Sequence, residues 1–111
     1  MEIAPIIVNI VIAISVMFLS YLYKKYYPKK INGNMGYRTR RSMISEKNWL
    51  LANGYYSRLV FNYTRLLPVV QVVLYMVFGP YIALAGFLAL WIVVLFWGIY
   101  KTERVLKREG G

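Results

Sequence analysis

The chain has 111 residues, 59% of them hydrophobic, and a formal net charge of +10. It holds neither cysteine nor histidine, which excludes disulfides, Cys/His zinc sites, haem ligation by histidine and Ser-His or Cys-His catalysis. No two of its four acids share an apolar run, so paired-carboxylate chemistry and a membrane-buried proton relay are not expected; the chain reads as a non-enzyme without cofactor or metal.

The apolar residues come in long blocks, and runs of ~18 or more argue transmembrane helices. The expected class is an all-α membrane protein, a single module over residues 1–111. Its three spans fall at about 3–23, 55–78 and 81–100. A basic loop over 24–54, carrying a short interfacial helix, joins the first two spans. A charge of +10 in a soluble protein would suggest nucleic acid. Here residues 24–65 hold ten Lys/Arg against one Glu, and the tail from Lys101 holds four against two. Charge placed between and after the spans sets orientation by the positive-inside rule, and no nucleic-acid partner is implied.

Residues 3–23 form the first span. Only Glu2 precedes it, while Lys24, Lys25, Lys29 and Lys30 follow, so it reads as a retained helix with its N-terminus outside. Asn9, Ala13 and Ser20 share one face suited to helix packing. Pro28 ends the helix, and Asn32-Gly33-Asn34 is turn chemistry.

Gly36–Asn53 is the long polar stretch, GYRTRRSMISEKNWLLAN. Gly36 suits a backbone angle or a close approach that a side chain forbids. Arg38, Arg40 and Arg41 follow it where the preceding loop uses lysine, and arginine's planar fork favours fixed hydrogen bonds to phosphate or carboxylate. Glu46, Glu103, backbone carbonyls and a lipid phosphate are the candidate acceptors, with Tyr37 and Trp49 bracketing the turn at headgroup level. Ser45 is placed as an N-cap with Glu46 in the first turn. Trp49, Ala52, Asn53 and Tyr56 then recur at helical spacing, either as an interfacial helix or leading straight into the next span.

Residues 66–100 carry no charge, too long for one ~30 Å crossing. A second span from about Tyr55 that turns at Gly79-Pro80 closes the arithmetic. Arg58, Asn62 and Arg65 then share a face near the basic end, as snorkelling side chains or as a polar seam for an anionic ligand. Pro68 should kink this span, and Gln71 should face another helix. On the third span Ala85 and Ala89 make a small-residue face, and Trp91, Trp97 and Tyr100 read as lipid-facing or interfacial. The tail reads as a basic helical extension. The basic loop and the C-terminus are both expected on the cytoplasmic side.

Asn32, Gly36, Tyr37, Arg38, Thr39, Arg41, Ser42, Met43, Trp49, Ala52 and Asn53 together resemble the signature of the SdpI family of small bacterial membrane proteins. Thr102, Glu103 and Leu106 resemble the T-E-x-x-L that closes many members. The family's named member confers immunity to a secreted membrane-active toxin peptide and holds a transcriptional repressor at the membrane. The resemblance therefore implies an immunity or signalling protein in the bacterial cytoplasmic membrane, with the motif residues as partner or lipid contacts; Arg40, Arg58 and Arg65 join them as candidates by their own charge and placement. The implied partners are anionic lipid headgroups, a membrane protein or toxin peptide, and a second copy of the chain. A small accessory subunit of a larger membrane complex is the alternative.

Overall fold

The computed structural model describes residues 3–33 and 35–110. Glu2, the acid expected before the first span, and Asn34, the last residue of the expected turn, lie outside them. Four helices follow in chain order: α1 (Ile3–Tyr26), α2 (Glu46–Thr64), α3 (Leu67–Phe78) and α4 (Pro80–Glu109). With α2 and α3 taken as one rod, three helical segments are long and apolar enough to cross a membrane.

Each boundary has a local cause. Lys24 and Lys25 in the last turn of α1 favour its negative end, and Pro28 stops it two residues beyond Tyr26. Ser45 caps α2, its hydroxyl accepting the Asn48 N–H at 3.1 Å. The expected interfacial helix is not a separate element. Its residues are the first turns of α2, which runs on without a break to Thr64, because nothing between Ser45 and Pro68 interrupts the helical pattern.

Pro68 has no N–H to offer the Thr64 carbonyl. The rod therefore breaks at Arg65-Leu66 and restarts as α3 with Pro68 in its first turn. Gly79 makes the hairpin, at φ +94°, with Pro80 as the first residue of α4. α3 and α4 pack closely there, since a Cβ on Gly86 would lie 2.6 Å from Leu74 Cδ1. The small residues that admit neighbours are thus Gly86 and Gly98 rather than Ala85 and Ala89, which face outward.

The bundle measures 54 × 22 × 18 Å. At ~1.5 Å per residue, the apolar part of α4 from Pro80 to Tyr100 spans ~31 Å, about one hydrocarbon core. The early turns of α2 and the last turns of α4 therefore project past it, and the loop before α2 folds over them as a cap.

The two parts are packed differently. Within the apolar windows of α1 and α4 only 17% of residues are buried, as befits helices that face lipid. A small cluster of Val16, Leu67 and Phe87, backed by Ile12, Ala13 and Trp91, holds the rods together. The cap instead buries polar side chains: Ser42, Asn48, Asn53, Ser57 and Thr102 are all fully enclosed. Lipid gives apolar helices no reason to leave it, whereas a polar cap can be ordered by satisfied hydrogen bonds and packing.

Candidate functional site: a hydrogen-bonded cap and an open groove

The cap is built around Asn53 and Glu103. One turn into α2, Trp49 is fully buried and donates its indole N–H to the Pro28 carbonyl at 2.8 Å, pinning the end of the first loop. One turn further, the Asn53 carboxamide uses both ends. Its Oδ1 accepts from the Tyr37 N–H at 2.7 Å and the Tyr23 hydroxyl at 2.8 Å. Its Nδ2 donates to the carbonyls of Tyr37 at 3.2 Å and Trp49 at 3.1 Å. Asn53 thus satisfies both backbone polar groups of Tyr37.

Gly36 makes this approach possible. It sits at φ +94°, and a Cβ there would stand 2.6 Å from Asn53 Oδ1 and 2.9 Å from Pro28 Cγ. Both roles expected of this glycine, the backbone angle and the close approach, are met.

From Tyr37 the chain reaches α4. Its hydroxyl donates to Glu103 Oε2 at 2.6 Å, and the Thr39 hydroxyl donates to the same oxygen at 2.8 Å. Burial first, then the hydrogen bond and charge of Glu103, push the Tyr37 phenol above its usual value. The turn beyond is closed by a Thr39–Ser42 pair. Ser42 Oγ accepts the Thr39 N–H at 2.9 Å and donates to the Thr39 carbonyl at 2.8 Å, while the Ser42 N–H reaches Thr39 Oγ1 at 3.2 Å. Asn48 Nδ2 holds the Arg41 carbonyl at 2.9 Å. Tyr56 packs against Tyr37 at a tilt, with ring centroids 4.8 Å apart, and donates to the Leu95 carbonyl at 3.0 Å. Gly98 leaves room for it, since a Cβ there would meet Tyr56 Cε1 at 2.8 Å.

The arginines divide. Arg41 pairs with Glu103 across 3.7 Å, too long for a hydrogen bond, and its buried Nε has no other partner among the described residues. Arg38 and Arg40 are exposed and make no hydrogen bond or ion pair with the described residues. The fixed hydrogen bonds expected of the arginine turn thus belong to its neighbours Tyr37, Thr39 and Ser42. Tyr37 and Trp49, expected at headgroup level, are core residues instead, 5% and 0% exposed. Met43 is half-buried in the turn, its N–H bonded to the Thr39 carbonyl at 3.2 Å. Asn32 shapes its own loop, accepting the Met35 N–H at 2.8 Å.

Arg58 and Arg65 lie outside the cap on the exposed face of α2, with Asn62. Sequence reasoning did not single out Tyr23, Asn48 or Tyr56 as site residues, and placed Glu103 as one of several acceptors and in the closing T-E-x-x-L. Its signal was present: within residues 47–108 Glu103 is the sole acid.

A family model describing the SdpI/YfhL protein family matches residues 29–102, from the first loop to the last turns of α4. The chain belongs to the SdpI/YfhL family. No curated protein and no solved structure matches it. The SdpI-family match takes in the cap-forming loop, α2, α3 and most of α4, and leaves α1 outside. Yet α1 supplies Tyr23 to the cap and Asn9 to a second polar contact in the apolar half.

That second contact joins α1 to α3. Gln71 Nε2 donates to Asn9 Oδ1 at 2.8 Å, and Asn9 Nδ2 donates to the carbonyls of Pro5 at 2.8 Å and Pro80 at 3.2 Å. Gln71 faces another helix, as expected. Beside this contact an apolar groove of about 380 Å³ lies between the two helices, walled by Ile10 and Ile14 on one side and Val72 and Met76 on the other.

Proposed function

We propose that this SdpI-type membrane protein acts without catalysis, as an immunity protein that captures a membrane-inserted peptide in the groove between α1 and α3. The groove carries the reading. Its walls are apolar, its floor holds the Asn9–Gln71 contact, and Gln71 Oε1 accepts no hydrogen bond from any described residue. An acyl chain can fill such a groove but cannot donate to that oxygen. A peptide helix bearing a hydroxyl or amide donor can do both.

The cap supports a binding role over a catalytic one. The carboxylate between loop and α4, Glu103, is taken up by Tyr37, Thr39 and Arg41 and serves to hold the loop on α4. In the orientation set by the basic residues, the cap lies in the bacterial cytoplasm and the Gly79 turn outside. The groove then opens in the outer half of the membrane, which a secreted peptide meets first.

The test is protection of a sensitive bacterium from a membrane-active peptide encoded beside this gene. Cells making the chain should grow where empty-vector cells are killed. Ile10→Trp, which fills the groove, should abolish protection at unchanged membrane abundance. Full protection by Ile10→Trp contradicts the reading. Stoichiometric co-elution with a larger complex in mild detergent favours the accessory-subunit alternative, for which the outward face of Ala85 and Ala89 offers a packing surface.

A further inference from the structure

We propose that a second pocket, between α2 and α4 at the base of the cap, binds the headgroup phosphate of an anionic phospholipid. The site is independent of the peptide groove. It has a volume of about 420 Å³ and is lined from α2 by Arg58 and Asn62 and from α4 by Trp97 and Lys101. Tyr63 meets Trp97 edge-on, with ring centroids 4.9 Å apart, and the two close its apolar end. Leu59 forms the floor.

Its position suits a headgroup. Lys101 is the first charge after the apolar run of α4, and its Nζ stands 5.4 Å from the Trp97 ring centroid. Arg58 Nη1 lies 3.4 Å from the point where a Gly54 Cβ would be, so the guanidinium reaches back one turn toward the polar end of α2. Paired tyrosine and tryptophan at this level are an interfacial belt.

Its charge suits an anion. Neither Arg58 nor Lys101 has an ion-pair partner among the described residues. Glu103 is committed to Tyr37, Thr39 and Arg41. Glu46 lies twelve residues before Arg58, and Glu109 eight beyond Lys101, ~18 and ~12 Å along their helices. Two cations and the Asn62 amide thus face one cavity with no acid among the described residues to neutralise them. Arginine supplies a planar fork for two phosphate oxygens and lysine a point charge. The apolar end decides between sources of phosphate. Leu59, Tyr63 and Trp97 offer a surface that the first carbons of an acyl chain cover and a free phosphate leaves bare.

The test uses the full chain purified in a non-ionic detergent, with lipid binding read by native mass spectrometry. The probes are phosphatidylglycerol, phosphatidylcholine with the same acyl chains, and inorganic phosphate. At roughly fivefold per cation, Arg58→Gln/Lys101→Gln should weaken the first phosphatidylglycerol by roughly twenty-five-fold. The charge-matched pair Arg104→Gln/Lys107→Gln, outside the pocket, should change it by less than about threefold, as screened surface charge does. Arg58→Lys/Lys101→Arg should retain most binding. Phosphatidylglycerol with brominated chains should quench tryptophan fluorescence, and Trp97→Phe should remove most of the quenching. Equal losses from the two glutamine pairs, equal affinity for phosphatidylcholine, or quenching unaffected by Trp97→Phe would each overturn the site. Binding of inorganic phosphate as tight as that of the lipid would overturn the lipid as its ligand.

Discussion

Asn53 on α2 pairs with both backbone polar groups of Tyr37, accepting its N–H at 2.7 Å and donating to its carbonyl at 3.2 Å. A single side chain thereby fixes a loop segment to a helix. Asn53→Ala leaves the Tyr37 N–H and the Tyr23 hydroxyl without their partner, and leaves the Tyr37 carbonyl with only the Ser42 hydroxyl at 3.3 Å. At roughly 1–3 kcal/mol for a buried unsatisfied group, the loss should be on the order of 3 kcal/mol or more. Thermal unfolding in detergent, with protease sensitivity of the 28–45 loop, measures it; a change within experimental error would show that water replaces the asparagine.

Gly36→Ala tests the approach of loop to helix. The new Cβ would fall 2.6 Å from Asn53 Oδ1, on a backbone at φ +94°. Gly33→Ala is the control, because nothing lies within 4 Å of its Cβ position. The first should lower the unfolding temperature clearly and the second hardly at all. Equal effects would mean that the loop moves freely over α2.

The arginine turn should respond unevenly to lysine. Arg38→Lys and Arg40→Lys remove no contact within the described residues and should stay within about 0.5 kcal/mol of the parent. Arg41→Lys alters the pair with Glu103 and should cost more, though not greatly, since a half-exposed ion pair is worth ~1 kcal/mol or less. Three equal responses would make the turn an orientation signal alone.

Orientation has its own measurement. Single cysteines at Lys30 and Tyr81 mark the two ends of the bundle, on either side of the apolar spans. They should label from opposite faces of intact cells, with Tyr81 outside. Labelling from one face would break the three-span arrangement.

The spans were legible in the sequence because each boundary has a one-residue cause: Pro28 after α1, Pro68 at the break, Gly79-Pro80 at the hairpin. The cap was half legible. Gly36, Ser42, Trp49 and Asn53 stand out by residue type, but type does not say whether a polar residue near a membrane faces water, lipid or its own chain. Trp49 shows the difficulty, since an interfacial tryptophan and a buried indole bonded to Pro28 share the same local sequence. The bonds from Tyr37 and Thr39 to Glu103 join residues more than sixty positions apart, so local spacing cannot reveal them. The groove depends on how α1 and α3 sit side by side, which no local pattern encodes.

The raised Tyr37 phenol has a pH consequence. The folded state holds it neutral, whereas in the unfolded chain it titrates near 10. Its contribution should be complete below pH 10 and decline as pH climbs above it, because the unfolded chain then gains from ionising. The stability difference between the parent and Tyr37→Phe should shrink over that range; a constant difference would place the hydroxyl in water.

The claim that the loop is clamped onto α4, rather than solvated, rests most directly on Tyr37 and Glu103. A double-mutant cycle with Tyr37→Phe and Glu103→Ala, read by unfolding in detergent, isolates their coupling. A buried hydrogen bond to a charged group predicts a coupling of ~1.5–3 kcal/mol. Additivity within about 0.5 kcal/mol would contradict the clamp and leave the loop a basic segment that only sets orientation.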